Sequence, residues 1–158
     1  MLVVYPNQGT RVLGTRFGRL VSEPRNEHYP HAGTMRIVYT PDGWCRGHTD
    51  FQIQDYYAHQ IEKRFGIRLH TRSLHGAHIT IIRGHREKQL KNIGHQPLKG
   101  KIVPFKYSHD VFTNGEHWWL NVQSDSIKII REHLGLEFQP RRYHLTIGRY
   151  EGDYTWKK

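Results

Sequence analysis

Apolar positions along this chain follow two periods, and the switches between them mark its elements. Residues 35–40 (MRIVYT) are β-branched or aromatic at most positions and end at the turn signal Pro41-Asp42-Gly43, which predicts a strand. Ile53, Tyr57, Ile61 and Phe65 then recur every fourth residue, with Ala58 beside them, which is the spacing of one helix face. Thr49 or Asp50 is placed to cap that helix and Gly66 to stop it. A second, short helix is expected over 86–92. Residues 101–107 and 117–122 read as two strands linked through the turn residues Thr113-Asn114-Gly115. A third helix opens at Ser124 or Asp125, carries Ile127, Ile130 and Leu134 on one face and ends at Gly135. Residues 1–34 are interrupted by Pro6, Gly9, Gly14, Gly18, Pro24 and Pro30, and predict an irregular extension with one or two strands.

Two stretches follow one plan. IEKRFGIRL, starting at Ile61, leads to His78-Ile79-Thr80-Ile81; IREHLGLEF, starting at Ile130, leads to His144-Leu145-Thr146-Ile147. Each is an amphipathic helix end, a glycine stop, a short alternating strand, a polar link and a His-x-Thr-x strand. A unit that occurs twice predicts two related lobes, approximately 35–95 and 96–158, within a single domain spanning 1–158.

The shared endpoint carries the chemistry. Successive side chains of a strand alternate between faces. His78 and Thr80 therefore share one face and Ile79 and Ile81 the other; His144 and Thr146 stand in the same relation to Leu145 and Ile147. Two such strands facing across a cleft would gather two imidazoles and two hydroxyls around one small volume. Cleavage of a phosphodiester needs a base for the attacking oxygen and an acid for the leaving oxygen, and histidine serves either role near neutral pH. Threonine hydroxyls can donate to non-bridging oxygens as charge develops. With 13 histidines in the chain, one His-x-Thr arises easily by chance. Two at matching places in a repeat do not.

Charge fits that reading without demanding it. Lys and Arg number 24 against 14 Asp and Glu, a net charge of +10 that favours anionic partners. There is no run of like charges that would mark a nucleic-acid tail. Close histidine pairs occur at His28/His31 and His75/His78, but no His-Glu-x-x-His is present and one cysteine cannot build a thiolate cage, so no metal or other cofactor is expected. The remaining histidines, His48 among them, are expected at the surface or the edge of the core. Cys45 alone allows no internal disulfide, no stretch reaches membrane-spanning length, and the start lacks the basic flank and apolar run of a signal peptide; a cytoplasmic protein without a membrane contact or an obligate protein partner is expected.

Aromatics next to a basic cleft can stack on bases. Tyr39, Trp44 and Trp156 are the candidates for nucleotide binding. Of Trp118 and Trp119, adjacent on a strand, one ring should face the core and the other out. Arg83 and Arg149 have the opposite parity from the motif residues and reach the cleft only where a strand ends or bulges.

The motifs HITI and HLTI, 66 residues apart, resemble the signature of the two-histidine (2H) phosphoesterase superfamily. HGAHITIIRG, WWLNV, IREHLGL and YHLTIGR are further similar to the phage-encoded anti-CBASS phosphodiesterases, which degrade cyclic nucleotide signals of bacterial antiviral defence. The resemblance implies an α+β, two-lobed, pseudo-twofold fold with antiparallel sheets flanking a central cleft and helices outside. It implies His78, Thr80, His144 and Thr146 as the catalytic set, and a cyclic di- or oligonucleotide or short RNA-like substrate met in the host bacterial cytoplasm. An RNA-end, 2′,3′-cyclic or 2′-5′ phosphodiesterase stays open within this class, and a nucleotide- or RNA-binding module without turnover stays open outside it. The extension over 1–34 departs from the resemblance, as does the short stretch after the second motif.

Overall fold

The computed structural model describes residues 4–6, 29–140 and 142–150. Trp156 and most of the 1–34 extension lie outside the described residues. Strand β1 (Val4–Pro6) belongs to that extension. The chain continues as β2 (His31–Tyr39), β3 (Cys45–His48), α1 (Gln52–Phe65), β4 (Leu69–His70), β5 (His78–Ile82), β6 (Ile102–Tyr107), β7 (Val111–Thr113), β8 (His117–Gln123), α2 (Asp125–His133) and β9 (His144–Tyr150). The fold is α+β.

Six strands, in the order β8-β6-β2-β3-β5-β9, close on themselves because β9 also pairs with β8. Every pairing in that ring is antiparallel. Closure leaves these six without a free edge along the paired segments. Outside the ring, β4 pairs with β9, β7 pairs with β8, and β1 adds parallel to β7.

The helices form where their patterns place them. The N-cap position of α1 is Phe51, which has no side-chain cap, and not Thr49 or Asp50. Asp50 Oδ1, one residue before it, accepts a hydrogen bond from the Gln52 amide at 2.9 Å, and Gly66 closes α1 in the left-handed region at φ 63°. Ser124 Oγ accepts from the Ser126 amide and caps α2. Each helix buries one face and exposes the other. Tyr57, Ala58 and Ile61 of α1 pack with Trp118, Leu120 and Ile147; Ile127 and Ile130 of α2, with Leu134 just beyond it, pack with Ile79, Ile81 and Leu145. Each of the buried isoleucine and leucine side chains contributes about 1.5–3 kcal/mol. Thus α1, from the first repeat, lies against β9 of the second, and α2, from the second, lies against β5 of the first as well as β6 of its own.

Several boundaries differ from the sequence expectation. The first strong strand starts at His31, four residues before Met35, because β6 pairs with it back to His31↔Tyr107. No helix forms over 86–92: the Leu90 and Lys91 amides donate to the Leu134 carbonyl, and Glu87 is held by Arg131, so tertiary partners replace an i→i−4 ladder. A third strand, β7, intervenes between the two expected over 101–122. The stretch after α2 that matches β4 in the repeat is not a strand.

Candidate functional site

The two motif strands are hydrogen-bonded neighbours. β5 and β9 pair antiparallel through Ile79↔Leu145. That register sets His78 across from Thr146 and Thr80 across from His144, with all four on the face opposite the buried Ile79 and Leu145. His78 and His144 are thereby diagonal neighbours, which stand roughly 7–8 Å apart in a regular ladder.

The flanking strands extend the same polar face. On β3, Arg46 pairs with Thr80 and His48 with His78. On β8, Asn121 pairs with His144 and Trp119 with Thr146. Arg46, His48, Trp119 and Asn121 were not identified as site residues from sequence. Their place depends on β3 lying beside β5 and β8 beside β9, a pairing that local pattern does not encode. His75 also meets the His78 ring edge-on, at 5.9 Å between centroids. His48 and His75 are therefore cleft residues, where only a surface or core-edge place was expected for His48.

His78 has a defined tautomer. Its Nδ1 lies 2.8 Å from the Gly76 carbonyl oxygen, which can only accept, so Nδ1 carries the hydrogen and Nε2 is left as a bare acceptor. Burial lowers its pKa below the ordinary histidine value; the Gly76 bond acts against this, while Arg46, His48 and His75 add to it. His144 has no hydrogen-bond partner among the described residues, and its ring tilts against Trp119 at 5.5 Å. Burial, with the charge of Arg83, pushes its pKa down to about 4. Both shifts favour the neutral imidazole. Thr80 is half-buried and Thr146 exposed; the Thr146 carbonyl accepts from Gln54 Nε2 of α1 at 3.2 Å, which ties β9 to the helix.

Two cavities meet over these strands. One, of about 390 Å³, is lined by Trp44, Arg46, His75, His78, Thr80, Arg83, His85 and Arg86. The other, of about 640 Å³, is lined by Thr80, Ile81, Arg83, Arg86, Glu87, Arg131, Arg142, Tyr143 and His144. They share Thr80, Arg83 and Arg86 and so form one groove. Among the described residues its walls carry five arginines and one carboxylate, Glu87, already bound to Arg131 at 2.6 Å. That balance favours an anion.

The arginines of opposite parity separate. β5 ends at Ile82, so Arg83 is free of strand alternation and lines the groove. Arg149 stays within β9 and pairs with Glu116 at 2.7 Å. Of the aromatic candidates, Trp44 lines the groove, with the Arg46 guanidinium 4.6 Å from its ring centroid and His85 at 4.9 Å. Tyr39 is not brought to the motif residues: its hydroxyl donates to the Pro97 carbonyl at 2.6 Å, and it lines a different cavity of about 240 Å³. Another cavity, of about 450 Å³ between α1 and the β2–β6 pair, contains none of the motif residues. Trp118 is buried and Trp119 faces the site.

No three histidine, cysteine or carboxylate side chains among the described residues converge as a metal site, and no described helix is long and apolar enough to cross a membrane. Comparison with known proteins adds no relative: no family model, curated protein or solved structure matches the chain.

Proposed function

We propose that this protein is a metal-independent phosphodiesterase of the two-histidine type, built as two lobes related by a pseudo-twofold axis. One observation carries the reading. His78, Thr80, His144 and Thr146 share the polar face of two paired strands, and His78, Thr80 and His144 line a groove walled by arginines. The lobes are supported by the exchange of helices between the two motif strands and by the local twofold inherent in the antiparallel pair Ile79↔Leu145.

The reaction needs two proton transfers. As the attacking oxygen, a ribose 2′-OH or water, forms its bond to phosphorus, its proton passes to the bare Nε2 of His78. As the P–O bond to the leaving group breaks, His144 gives that oxygen a proton. Thr80 and Thr146 donate to the non-bridging oxygens. A phosphate anion between the imidazoles offsets the arginine field and raises the pKa values that burial and the arginines hold down, so substrate helps to supply the charged acid. The preferred substrate is a cyclic di- or oligonucleotide signal, on the resemblance of the motif strings to the anti-CBASS enzymes.

The test is turnover of cyclic dinucleotides in excess chelator, run beside 2′,3′-cyclic, 2′-5′ and RNA-end substrates. Activity should survive the chelator. His78→Ala, His144→Ala and the double variant should fall to one low floor, because both groups serve one cycle. Thr80→Ala or Thr146→Ala should cost less, about ten- to two-hundredfold, as each removes one hydrogen bond to a charged group. Near wild-type turnover in both histidine variants, or loss with chelator reversed by zinc or manganese, overturns the reading. Nucleotide binding without turnover of any of these substrates would identify a binding module instead.

A further inference from the structure

Arg46 is an unusual residue in this groove. It is only 7% exposed, yet its side chain makes no hydrogen bond or ion pair among the described residues, and its Nε is buried without a partner. Buried guanidinium groups are ordinarily paired, since a desolvated charge left alone is costly. Asp42, whose carboxylate feels the Arg46 charge, is fully exposed and engaged with the Thr40 hydroxyl. Arg46 is nevertheless held in place: Trp44 lies under its guanidinium at 4.6 Å, and β3 sets it directly across from Thr80. Among the described residues, no carboxylate forms an ion pair with this desolvated, oriented cation beside the motif threonine.

We propose that Arg46 is the principal phosphate ligand of the cleft, its guanidinium receiving a non-bridging oxygen of the phosphodiester held at Thr80. The inference rests on the phosphodiesterase reading and adds to it a binding residue on β3, a strand that carries neither motif. A planar, always-charged donor fork suits a phosphate better than an ammonium does, so lysine should substitute only in part. Trp44, which seats the guanidinium, then acts as a positioning residue.

The experiment uses the full chain and two probes, inorganic phosphate and dimethyl phosphate, with cyclic dinucleotide turnover measured in parallel. Titration of either probe should shift the Arg46 Nε–H resonance. Arg46→Gln should weaken phosphate binding at least tenfold and lower kcat/KM by about ten- to two-hundredfold, with Arg46→Lys between. Phosphate binding that depends on Arg46, in a wild-type protein that turns over no diester, would sink the enzymatic reading and leave the anion site standing. Turnover and phosphate affinity unchanged in a folded Arg46→Gln would overturn this proposal and leave the enzyme standing. Should Arg46→Gln fail to fold, the wild-type resonance decides: a saturable shift supports the proposal, and no shift overturns it.

Discussion

Glu87→Gln removes the one carboxylate that the described residues bring to the groove wall, and its consequence can be worked from the contacts. Arg131 on α2 is buried, with 6% of its side chain exposed against 25% for Glu87. Its Nε donates to the Glu137 carbonyl at 2.6 Å and one terminal nitrogen to the Ile81 carbonyl of β5 at 2.8 Å, so the guanidinium fastens α2 to a motif strand. Glu87 neutralises it, with contacts of 2.6 and 3.0 Å. Stripping one partner from a buried pair costs about 3–5 kcal/mol. Glutamine retains an acceptor and the site is partly wet, so about 2–3 kcal/mol is expected, a fall in Tm of roughly 4–12 °C at this chain length. Acid should act on the same interaction. Burial alone would raise the Glu87 pKa, but the hydrogen bonds from Arg131 and the Arg83 amide, with both arginine charges, hold it below 4.5. A carboxylate with a depressed folded-state pKa stabilises above its unfolded value and loses that contribution as pH falls through the folded one. Urea unfolding of both proteins should therefore show a gap at pH 7 that narrows as pH falls below 4.5. A gap under about 1 kcal/mol at pH 7, or one that acid leaves unchanged, would refute the assigned role of the pair.

His144 should impose a pH dependence of opposite origin. With its folded pKa near 4 and an ordinary value of 6.5 when unfolded, the unfolded chain binds the extra proton between those values, so stability falls as pH drops from 6.5 toward 4, by on the order of 3 kcal/mol. His144→Gln should flatten that slope in unfolding free energies, and parallel pH curves would contradict the desolvated site. Gly84→Ala should destabilise by about 1–3 kcal/mol, because a Cβ there would lie 2.6 Å from the Gly43 carbonyl carbon and 2.9 Å from the Trp44 amide nitrogen, both backbone atoms. Thermal unfolding and tryptophan fluorescence would report it; an unchanged Tm and spectrum would mean the 40–44 turn yields freely.

Local pattern was sufficient wherever one segment decides its own fate. The α1 face, the Gly66 stop, the Ser124 cap and the alternation at His78 and His144 all follow from the residues that form them. It failed where a distant partner decides. Residues 86–92 contain helix-compatible side chains, but Glu87 bonds to Arg131 and the Leu90 and Lys91 amides bond to Leu134, a residue more than forty positions away. The Tyr39 hydroxyl was equally available to a ligand until Pro97 took it.

The motif residues and the rest of the site differ in the same way. Two periods in sequence reveal that His78 and Thr80 share a face, and likewise His144 and Thr146. Only strand order reveals what shares that face with them. Because β3 lies beside β5 in the register Arg46↔Thr80 and His48↔His78, a short strand bearing no recognisable motif places a buried cation and a third imidazole next to the first pair. Because β8 lies beside β9, the outward ring of the Trp118-Trp119 doublet becomes a wall for His144. Arg83 shows the limit of parity itself. Alternation holds through Ile82 and assigns the next side chain to the far face, but the strand ends there and the backbone turns toward Gly84. The guanidinium then acts on His144 from across the groove, and part of the depressed basicity of that imidazole comes from a residue that strict alternation would exclude.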